Sequence, residues 1–282
     1  MTLQEWLAKG EAQLLASPHP GRARLDAESL LLHVLGRGRA FLLAHRDDLL
    51  DAEPAALYLD LVERRLAGEP IQYILGESEF YGLPFQVTRD VLIPRPETEH
   101  LVEKVLEMGA SFPRPRIVDV GTGSGAIAVA LAHHLPQAAI TAIDLSASAL
   151  DLARHNAADN GVASRIRFLE GDLLAPVSRE QFEMVVSNPP YVPTVDRASL
   201  AVEVREYEPA LALFAGGDGT DIYRRLIPAA HAVLVSGGFL ALEIGYGQPA
   251  AIRTLLADSG FAQIEFVPDL QSIPRVACAR RP

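Results

Sequence analysis

The chain has a single cysteine, no long apolar run and a shortage of positive charge, and each of these excludes a class of protein. Because Cys278 stands alone among 282 residues, neither an intrachain disulfide nor a cysteine-based metal cluster can form. No stretch approaches the ~20 uninterrupted apolar residues of a membrane-spanning helix. Residues 1–15 carry charges where a secretory signal is apolar. We therefore expect a cytoplasmic protein with no metal site and no membrane partner.

Acidic side chains outnumber basic ones by 36 to 25, which gives a formal net charge of −11. Broad binding to phosphate backbones depends on patches of Lys and Arg, so we expect no direct binding to nucleic acid. This balance favours a protein or a small molecule as the substrate. No feature indicates an obligate oligomer, and we expect a monomer.

The beginning of the chain is rich in helical patterns. Thr2 and Glu5 form a capping box before the first of them. Gly36 and Gly68 are stop signals after two later ones. We interpret residues 1–70 as a small all-helical domain. Its predicted helices cover residues 2–16, 22–35, 41–45 and 51–66.

Two strand-like runs, residues 71–75 and 80–87, come next, with Gly76 and Gly82 as breaks. They predict a β-hairpin within residues 71–90 that links two domains. A connector stiffened by two prolines then leads into a helix that ends near Met108.

From residue 116 onward strands and helices alternate, which predicts a parallel sheet with helices on both faces. The loop between the last two strands is too short for a parallel crossover, so these two should pair antiparallel. The fold class is therefore α/β, a doubly wound, mostly parallel seven-stranded sheet that resembles class I methyltransferases, over residues 91–282. The predicted strands are 116–120, 139–144, 165–169, 182–187, 237–244, 261–267 and 273–280, and the helices are 125–134, 147–159, 220–234 and 248–259.

A glycine-rich loop follows the first strand of this sheet, at the edge where such sheets bind ligands. Asp144 ends the next strand, at a distance along the chain typical of an acid that reaches ribose hydroxyls. Further on, Asp172 is a candidate for the adenine amino group and Leu173 for packing on the ring, with a solvated turn as the alternative for Asp172. The candidate cofactor loop comprises Gly121, Thr122, Gly123, Ser124 and Gly125.

Two cofactors fit this loop, because Gly121-x-Gly123-x-x-Ala126 also matches the dinucleotide fingerprint. Asp119 favours S-adenosylmethionine. An acid two residues before the first glycine would repel a pyrophosphate, whereas S-adenosylmethionine carries an ammonium and a sulfonium. We therefore expect Asp119 to contribute to binding of S-adenosylmethionine.

A second candidate site is the run Asn188-Pro189-Pro190-Tyr191, directly after an apolar strand. Two prolines fix the backbone and lack N–H donors, so carbonyl oxygens there have no local partner. If the Asn188 side-chain oxygen and the Pro189 carbonyl accept both N–H bonds of a planar NH2 group, the nitrogen lone pair can face a methyl donor. We expect Tyr191 to stack on that group, and Asn188 also to border the cofactor. The alternative is a proline-rich loop that merely ends a strand.

With these motifs the sequence resembles the bacterial peptide chain release factor glutamine methyltransferases over nearly its whole length. The resemblance implies S-adenosylmethionine as cofactor, the glutamine of a Gly-Gly-Gln tripeptide of release factors as methyl acceptor, and an N-terminal helical domain that docks that protein. Its segments are Asp26-Ala27-Glu28, Gln72-Tyr73-Ile74, Glu79-Phe80-Tyr81-Gly82, residues 91–99, 119–125 and 188–191, Glu208-Pro209, residues 216–219 and Glu243-Ile244-Gly245.

Within residues 91–99, Arg95 and Glu97 are candidates for lining the glutamine pocket, with a structural salt bridge as the alternative. Glu243, at a strand end, is expected to be a sheet-edge or loop-anchoring residue rather than a catalyst. The rival functions are a ribosomal-protein glutamine methyltransferase, whose arginine-proline segment differs, and an adenine-amino DNA methyltransferase, which needs a basic region. An NAD-dependent enzyme and a non-enzymatic nucleotide-binding adaptor are further alternatives.

Overall fold

The computed structural model describes all 282 residues. The helices are α1 (Leu3–Leu14), α2 (Ala23–Leu35), α3 (Arg39–Ala44), α4 (Ala52–Leu66), α5 (Ile71–Leu75), α6 (Pro96–Gly109), α7 (Ala126–His134), α8 (Ala147–Asp159), α9 (Val202–Tyr207), α10 (Ala210–Leu213), α11 (Asp221–Val233) and α12 (Pro249–Asp258). The strands are β1 (Glu77–Phe80), β2 (Leu83–Gln86), β3 (Arg116–Val120), β4 (Ala139–Asp144), β5 (Ile166–Glu170), β6 (Phe182–Ser187), β7 (Leu234–Glu243), β8 (Ala262–Pro268) and β9 (Pro274–Arg280). Short 3-10 helices cover Pro20–Arg22, Ala163–Arg165, Ala175–Val177 and Thr194–Ser199.

The chain divides into two compact units, a helical unit and a sheet unit. The helical unit comprises Met1–Gly76 together with a later segment, Leu200–Tyr207. The sheet unit comprises Glu77–Ser199 and Glu208–Pro282. The predicted helical domain therefore extends six residues further than residue 70, and it includes α9, which sequence patterns alone assign to the second domain.

Local signals in the helical unit explain its helices. The predicted capping box is present, with the Glu5 amide donating to Thr2 Oγ1 at 3.2 Å and the Thr2 amide donating to Glu5 Oε2 at 2.8 Å. Gly36 ends α2 in the left-handed conformation, at φ +59°. The helices bury one apolar cluster, which includes Leu7, Leu14, Leu30, Leu31, Tyr58, Leu61 and Val62.

A buried arginine joins α9 to the rest of the helical unit. The side chain of Arg65 is 2% exposed. Its Nε donates to Asp26 Oδ2 at 2.7 Å, and its Nη1 donates to Glu203 Oε2 at 2.9 Å. Because a buried guanidinium needs opposite charges as partners, these two carboxylates fix α4, α2 and α9 together.

The predicted strand at residues 71–75 is wrong, since Ile71–Leu75 is helix α5. Pro70 precedes it with φ −54°, and Gly76 ends it in the left-handed conformation at φ +77°. These two capping signals outweigh the β-branched, apolar character of the run. The hairpin that the sequence predicts does exist, but it is formed by β1 and β2 in antiparallel register.

The sheet unit confirms the predicted fold class. Its seven strands lie in the order β5-β4-β3-β6-β7-β9-β8. The pairings from β5 to β7 are parallel, and β9 pairs antiparallel with both β7 and β8. Apolar clusters cover both faces of the sheet, as a doubly wound fold requires. The chain has no helix long and apolar enough to span a membrane.

One strand begins earlier than predicted. The sequence predicts a strand over residues 237–244, but β7 begins at Leu234. Gly237 has φ +80°, and the register between β6 and β7 shifts near the same place. The glycines thus form an irregularity inside the strand and do not mark its beginning.

The ion pairs of Arg65 predict an unequal response to two acid-to-alanine substitutions in the helical unit. Asp26→Ala should lower the free energy of unfolding by about 3 kcal/mol, because it leaves a buried guanidinium short of one counter-charge. Glu11→Ala, which removes a surface partner of Arg24, should cost less than about 1 kcal/mol. Urea unfolding monitored by circular dichroism checks both values, and equal small losses would contradict the assigned role of Arg65.

Candidate functional site

A cavity of about 410 Å³ opens at the carboxyl ends of the parallel strands. Its walls come from the loops after β3, β4, β5 and β6, from the segment before α6, and from α10 and α11. Every residue that lines it belongs to the sheet unit. This is the edge at which doubly wound sheets bind ligands.

The predicted glycine loop forms one wall. Gly121, Thr122, Gly123 and Ser124 line the cavity. Gly121 and Gly123 have φ of +72° and +55°, and a Cβ added to either would meet no atom within 4 Å. The backbone of the loop is therefore exposed to open space, where a ligand can approach it closely. Gly125 lies outside the lining and caps α7 in the left-handed conformation, with Ala153 packed against it.

Asp144 holds this loop in place. Its Oδ2 accepts the Gly123 amide at 2.8 Å, and its Oδ1 accepts the Ser146 amide at 2.9 Å. The carboxylate also lines the cavity. Each of its oxygens has a further lone pair, so Asp144 can accept hydroxyl groups from a ligand while it orders the loop.

Asp119 lies beneath the loop and does not line the cavity. It is fully buried; Thr122 Oγ1 donates to its Oδ2 at 2.6 Å, and its Oδ1 has no partner. Burial raises the pKa of Asp119 to about 7; the hydrogen bond from Thr122 opposes this rise and the charge of Asp144 adds to it. Asp119 is thus connected to the cavity through Thr122, and its contribution to cofactor binding stays a prediction.

Asp172 and Leu173 lie at the cavity, as the sequence predicts. Leu173 has φ +51°, an uncommon backbone conformation for a leucine. Asp172 is half exposed and pairs with Arg225 of α11. Arg225 also lines the cavity and is missed by the sequence patterns, because nothing in its local sequence distinguishes it from other helix-surface arginines.

The loop after β6 forms the opposite wall. Asn188, Pro189 and Pro190 line the cavity. Ser187 Oγ donates to the carbonyl of Val120 at 2.6 Å, which ties the end of β6 to the end of β3. Neither Asn188 Oδ1 nor the Pro189 carbonyl accepts a hydrogen bond from the protein. Two oxygen acceptors therefore remain available in one wall of the cavity.

A buried polar network supports Asn188. Its Nδ2 donates to Thr98 Oγ1 at 3.1 Å, and Thr98 Oγ1 donates to Glu243 Oε2 at 2.6 Å. Thr98 is 4% exposed and Glu243 is 2% exposed. Burial raises the pKa of Glu243 to about 7, although hydrogen bonds from Thr98 and Tyr191 oppose the rise. The sequence prediction missed Thr98.

Tyr191 does not line the cavity, and its ring packs against the apolar cluster on one face of the sheet. Its hydroxyl donates to Glu243 Oε1 at 3.3 Å. Burial raises the pKa of Tyr191 well above its usual value. The predicted stacking of Tyr191 on an acceptor amide therefore gives way to a role in holding Glu243.

The carbonyl of Tyr191 is also fixed, by a donor from the loop after β7. Gln248 Nε2 donates to that carbonyl at 3.1 Å and to the carbonyl of Gly219 at 3.3 Å. A Cβ on Gly219 would come within 2.3 Å of the Tyr191 oxygen. Glycine is thus required at position 219 for the two loops to approach.

Of the two residues predicted to line the glutamine pocket, Arg95 and Glu97, only Arg95 lies at the cavity. Its Nη2 contacts both carboxylate oxygens of Glu208, at 2.7 and 2.6 Å, so it also forms the salt bridge that was the alternative. Glu97 is exposed and away from the lining. Because successive helical residues turn by about 100°, Thr98 rather than Glu97 faces inward. No group of three or more His, Cys, Asp or Glu side chains is arranged to hold a metal ion.

Comparison with known proteins identifies families that match this chain. The family described as PrmC N-terminal domain matches residues 5–76, and the methyltransferase small domain matches residues 97–206. A release factor glutamine methyltransferase of Koribacter versatilis is 41% identical, over 100% of this chain and 99% of that protein. One from Burkholderia pseudomallei is 46% identical, over 92% of each chain.

Among solved structures, a 16S rRNA methyltransferase of T. thermophilus, in complex with AdoMet and guanosine, matches with a TM-score of 0.55. It is 18% identical, and the match covers 73% of this chain and 50% of that one. At this identity the likeness concerns the fold alone.

Proposed function

We propose that this chain, which belongs to the release factor glutamine methyltransferase family, transfers a methyl group from S-adenosylmethionine to a glutamine of peptide chain release factors. The acceptor is the side-chain amide nitrogen of the Gly-Gly-Gln tripeptide. The observation that carries the proposal is the pair of oxygens, Asn188 Oδ1 and the Pro189 carbonyl, that accept no protein hydrogen bond beside the glycine loop. A substrate from the translation apparatus implies a cytoplasmic location.

The residues of the glycine wall fit S-adenosylmethionine. The open space beside Gly121 and Gly123 is a backbone cradle that any side chain would fill. Asp144 would hold the ribose hydroxyls, and Asp172 with Leu173 would hold the adenine. The charge of Asp119, whose Oδ1 has no partner, would be stabilised by the positive charge of the bound cofactor. When bound, the cofactor supplies an electrophilic methyl group.

The residues of the opposite wall would orient the acceptor. An amide nitrogen is a weak nucleophile, because its lone pair is delocalised into the carbonyl. With both of its N–H bonds given to Asn188 Oδ1 and the Pro189 carbonyl, the NH2 group is held in one orientation. The nitrogen would then be placed to take the methyl group that the cofactor supplies: the sulfur would keep the electron pair of the broken carbon–sulfur bond, and the methylated nitrogen would release one proton to solvent. Positioning and exclusion of water supply most of the acceleration.

We further propose that the helical unit docks the release factor. It contributes no residue to the cavity. It also carries exposed leucines, among them Leu43 at 63% and Leu49 at 76% exposed. All groups assigned to the reaction come from one chain, so the reaction as proposed needs only a monomer.

Asn188→Ala should lower the single-turnover rate of methyl transfer by ~100–1000-fold, because a preorganised hydrogen-bond partner of the acceptor is lost. The affinity for S-adenosylmethionine should change little. The assay mixes protein, labelled cofactor and an intact release factor, and locates the methyl group by mass spectrometry. Asn160→Ala is the matched control, since Asn160 lies outside the cavity. Label on any residue other than that glutamine would overturn the proposed function.

Asp144→Ala should weaken binding of S-adenosylmethionine by ~1–3 kcal/mol, because ribose hydroxyls lose their acceptor and the Gly123 amide loses its tether. Titration calorimetry measures the change. Asp151→Ala is the control, since Asp151 is an exposed acid on α8 outside the cavity. Equal affinities for the wild type and Asp144→Ala would rule out the assigned role.

The docking proposal is best tested in the full chain. Deletion of residues 1–76 would remove the rest of the helical unit, to which α9 belongs. Leu43→Glu and Leu49→Glu should lower kcat/KM for the intact release factor by about tenfold. Methylation of a short Gly-Gly-Gln peptide should be unaffected. Leu270→Glu, at a site 96% exposed in the sheet unit, is the control. Equal losses on protein and peptide would argue against docking through this unit.

A further inference from the structure

We infer that Thr98 and Glu243 are positioning residues which set the direction of the Asn188 side-chain amide, so that its oxygen rather than its NH2 group faces the methyl acceptor. The inference rests on the proposed function and deepens it. Neither residue lies next to the acceptor motif in the sequence: Thr98 is on α6 and Glu243 is at the end of β7.

The direction follows from the hydrogen-bonding capacity of each group. An ionised carboxylate only accepts, so the 2.6 Å contact between Thr98 Oγ1 and Glu243 Oε2 takes the single proton of the threonine. The threonine oxygen is then an acceptor for its other neighbour. Asn188 must therefore offer Nδ2 to it, at 3.1 Å, and this leaves Oδ1 for the substrate.

Without this series of hydrogen bonds, the side-chain amide of Asn188 has no preferred orientation. Its oxygen and its NH2 group have nearly the same shape, and a half-turn exchanges them. The wrong orientation would place two donors, the NH2 groups of Asn188 and of the substrate, against each other. The glutamine would lose one of the two acceptors that hold its nitrogen.

Protonation of Glu243 reverses the direction. A neutral carboxylic acid can donate to Thr98, which is then free to donate to Asn188 Oδ1 in the flipped amide. The ionised form of Glu243 is therefore the active one. Because burial places the pKa of Glu243 near 7, the transfer rate should rise with pH through about 7 and fall below it.

The groups around Glu243 come from several elements. Tyr191 donates to its second oxygen at 3.3 Å, and Tyr223 of α11 donates to its main-chain carbonyl at 2.7 Å. Glu97 of α6 raises its pKa and Arg275 of β9 lowers it. Arg275 is itself paired with Asp269. None of these partners lines the cavity, so the network faces the cavity only through Asn188 and Thr98.

The first test compares Thr98→Val and Glu243→Gln with the wild type. Valine has the shape of threonine but cannot accept from Asn188. Glutamine can donate or accept, so it no longer dictates a direction. Both should lower the single-turnover rate by ~10–100-fold, less than the loss expected for Asn188→Ala, with unchanged binding of S-adenosylmethionine. Thr98→Ser should keep most of the rate, and Thr141→Val, at a buried threonine outside the cavity, should keep all of it.

The second test separates positioning from mere support of the fold. A release factor with glutamate in place of the acceptor glutamine should bind the wild type less well than the natural protein, because two oxygens face its carboxylate. In Thr98→Val and Glu243→Gln, the Asn188 NH2 group can turn to that carboxylate, so the preference should shrink by about tenfold. Glu243→Gln should also lose the rise in rate near pH 7.

The outcomes distinguish a failure of the proposed function from a failure of the positioning role of Thr98 and Glu243. No methyl transfer by the wild type would overturn the proposed function, and the inference with it. Transfer by the wild type, combined with unchanged rates, an unchanged pH profile and an unchanged preference for glutamine in both variants, would overturn the inference alone.

Discussion

Parallel pairing of β3 with β6 is the constraint on which the site depends. Val120 and Ser187 are partners in that register, so the glycine loop and the Asn-Pro-Pro-Tyr loop leave the sheet at the same level. The hydrogen bond from Ser187 Oγ to the Val120 carbonyl closes the last gap between the strands. A shift of one residue would turn every side chain of β6 to the other face, and the two walls of the cavity would no longer face each other.

Each wall rests on one buried carboxylate with a hydroxyl above it. Asp119 lies under the glycine loop with Thr122, and Glu243 lies behind Asn188 with Thr98. Burial raises the pKa of each acid to about 7. Neither acid lines the cavity. Each one, through its hydroxyl neighbour, fixes the orientation of a group that does line it. The acids thus act through their neighbours. They support two short loops in which some polar groups have no hydrogen-bond partner in the protein.

Sequence patterns identify the loops of this site well and the side chains behind them poorly. The glycine loop, Asp144 and Asn188 are readable because motif spacing and strand ends place them at one edge of the sheet. Glu97 and Thr98 differ by a single helical step, and the phase of α6 is decided by packing against β7 and β9, which is tertiary information. Helix α5 escapes prediction for a related reason: its caps, rather than its apolar pattern, determine its structure.

The arrangement favours orientation over acid–base chemistry at the acceptor. A general base must reach the proton that it removes, but both oxygens of Glu243 are occupied, by Thr98 and Tyr191, and the side chain is cut off from the cavity. Asn188 and the Pro189 carbonyl can accept hydrogen bonds, yet neither can take a proton at neutral pH. What these residues supply is a fixed direction for an NH2 group and a wall that excludes water. An amide nitrogen, whose lone pair must be presented in one direction to react, is the kind of acceptor that such a wall suits.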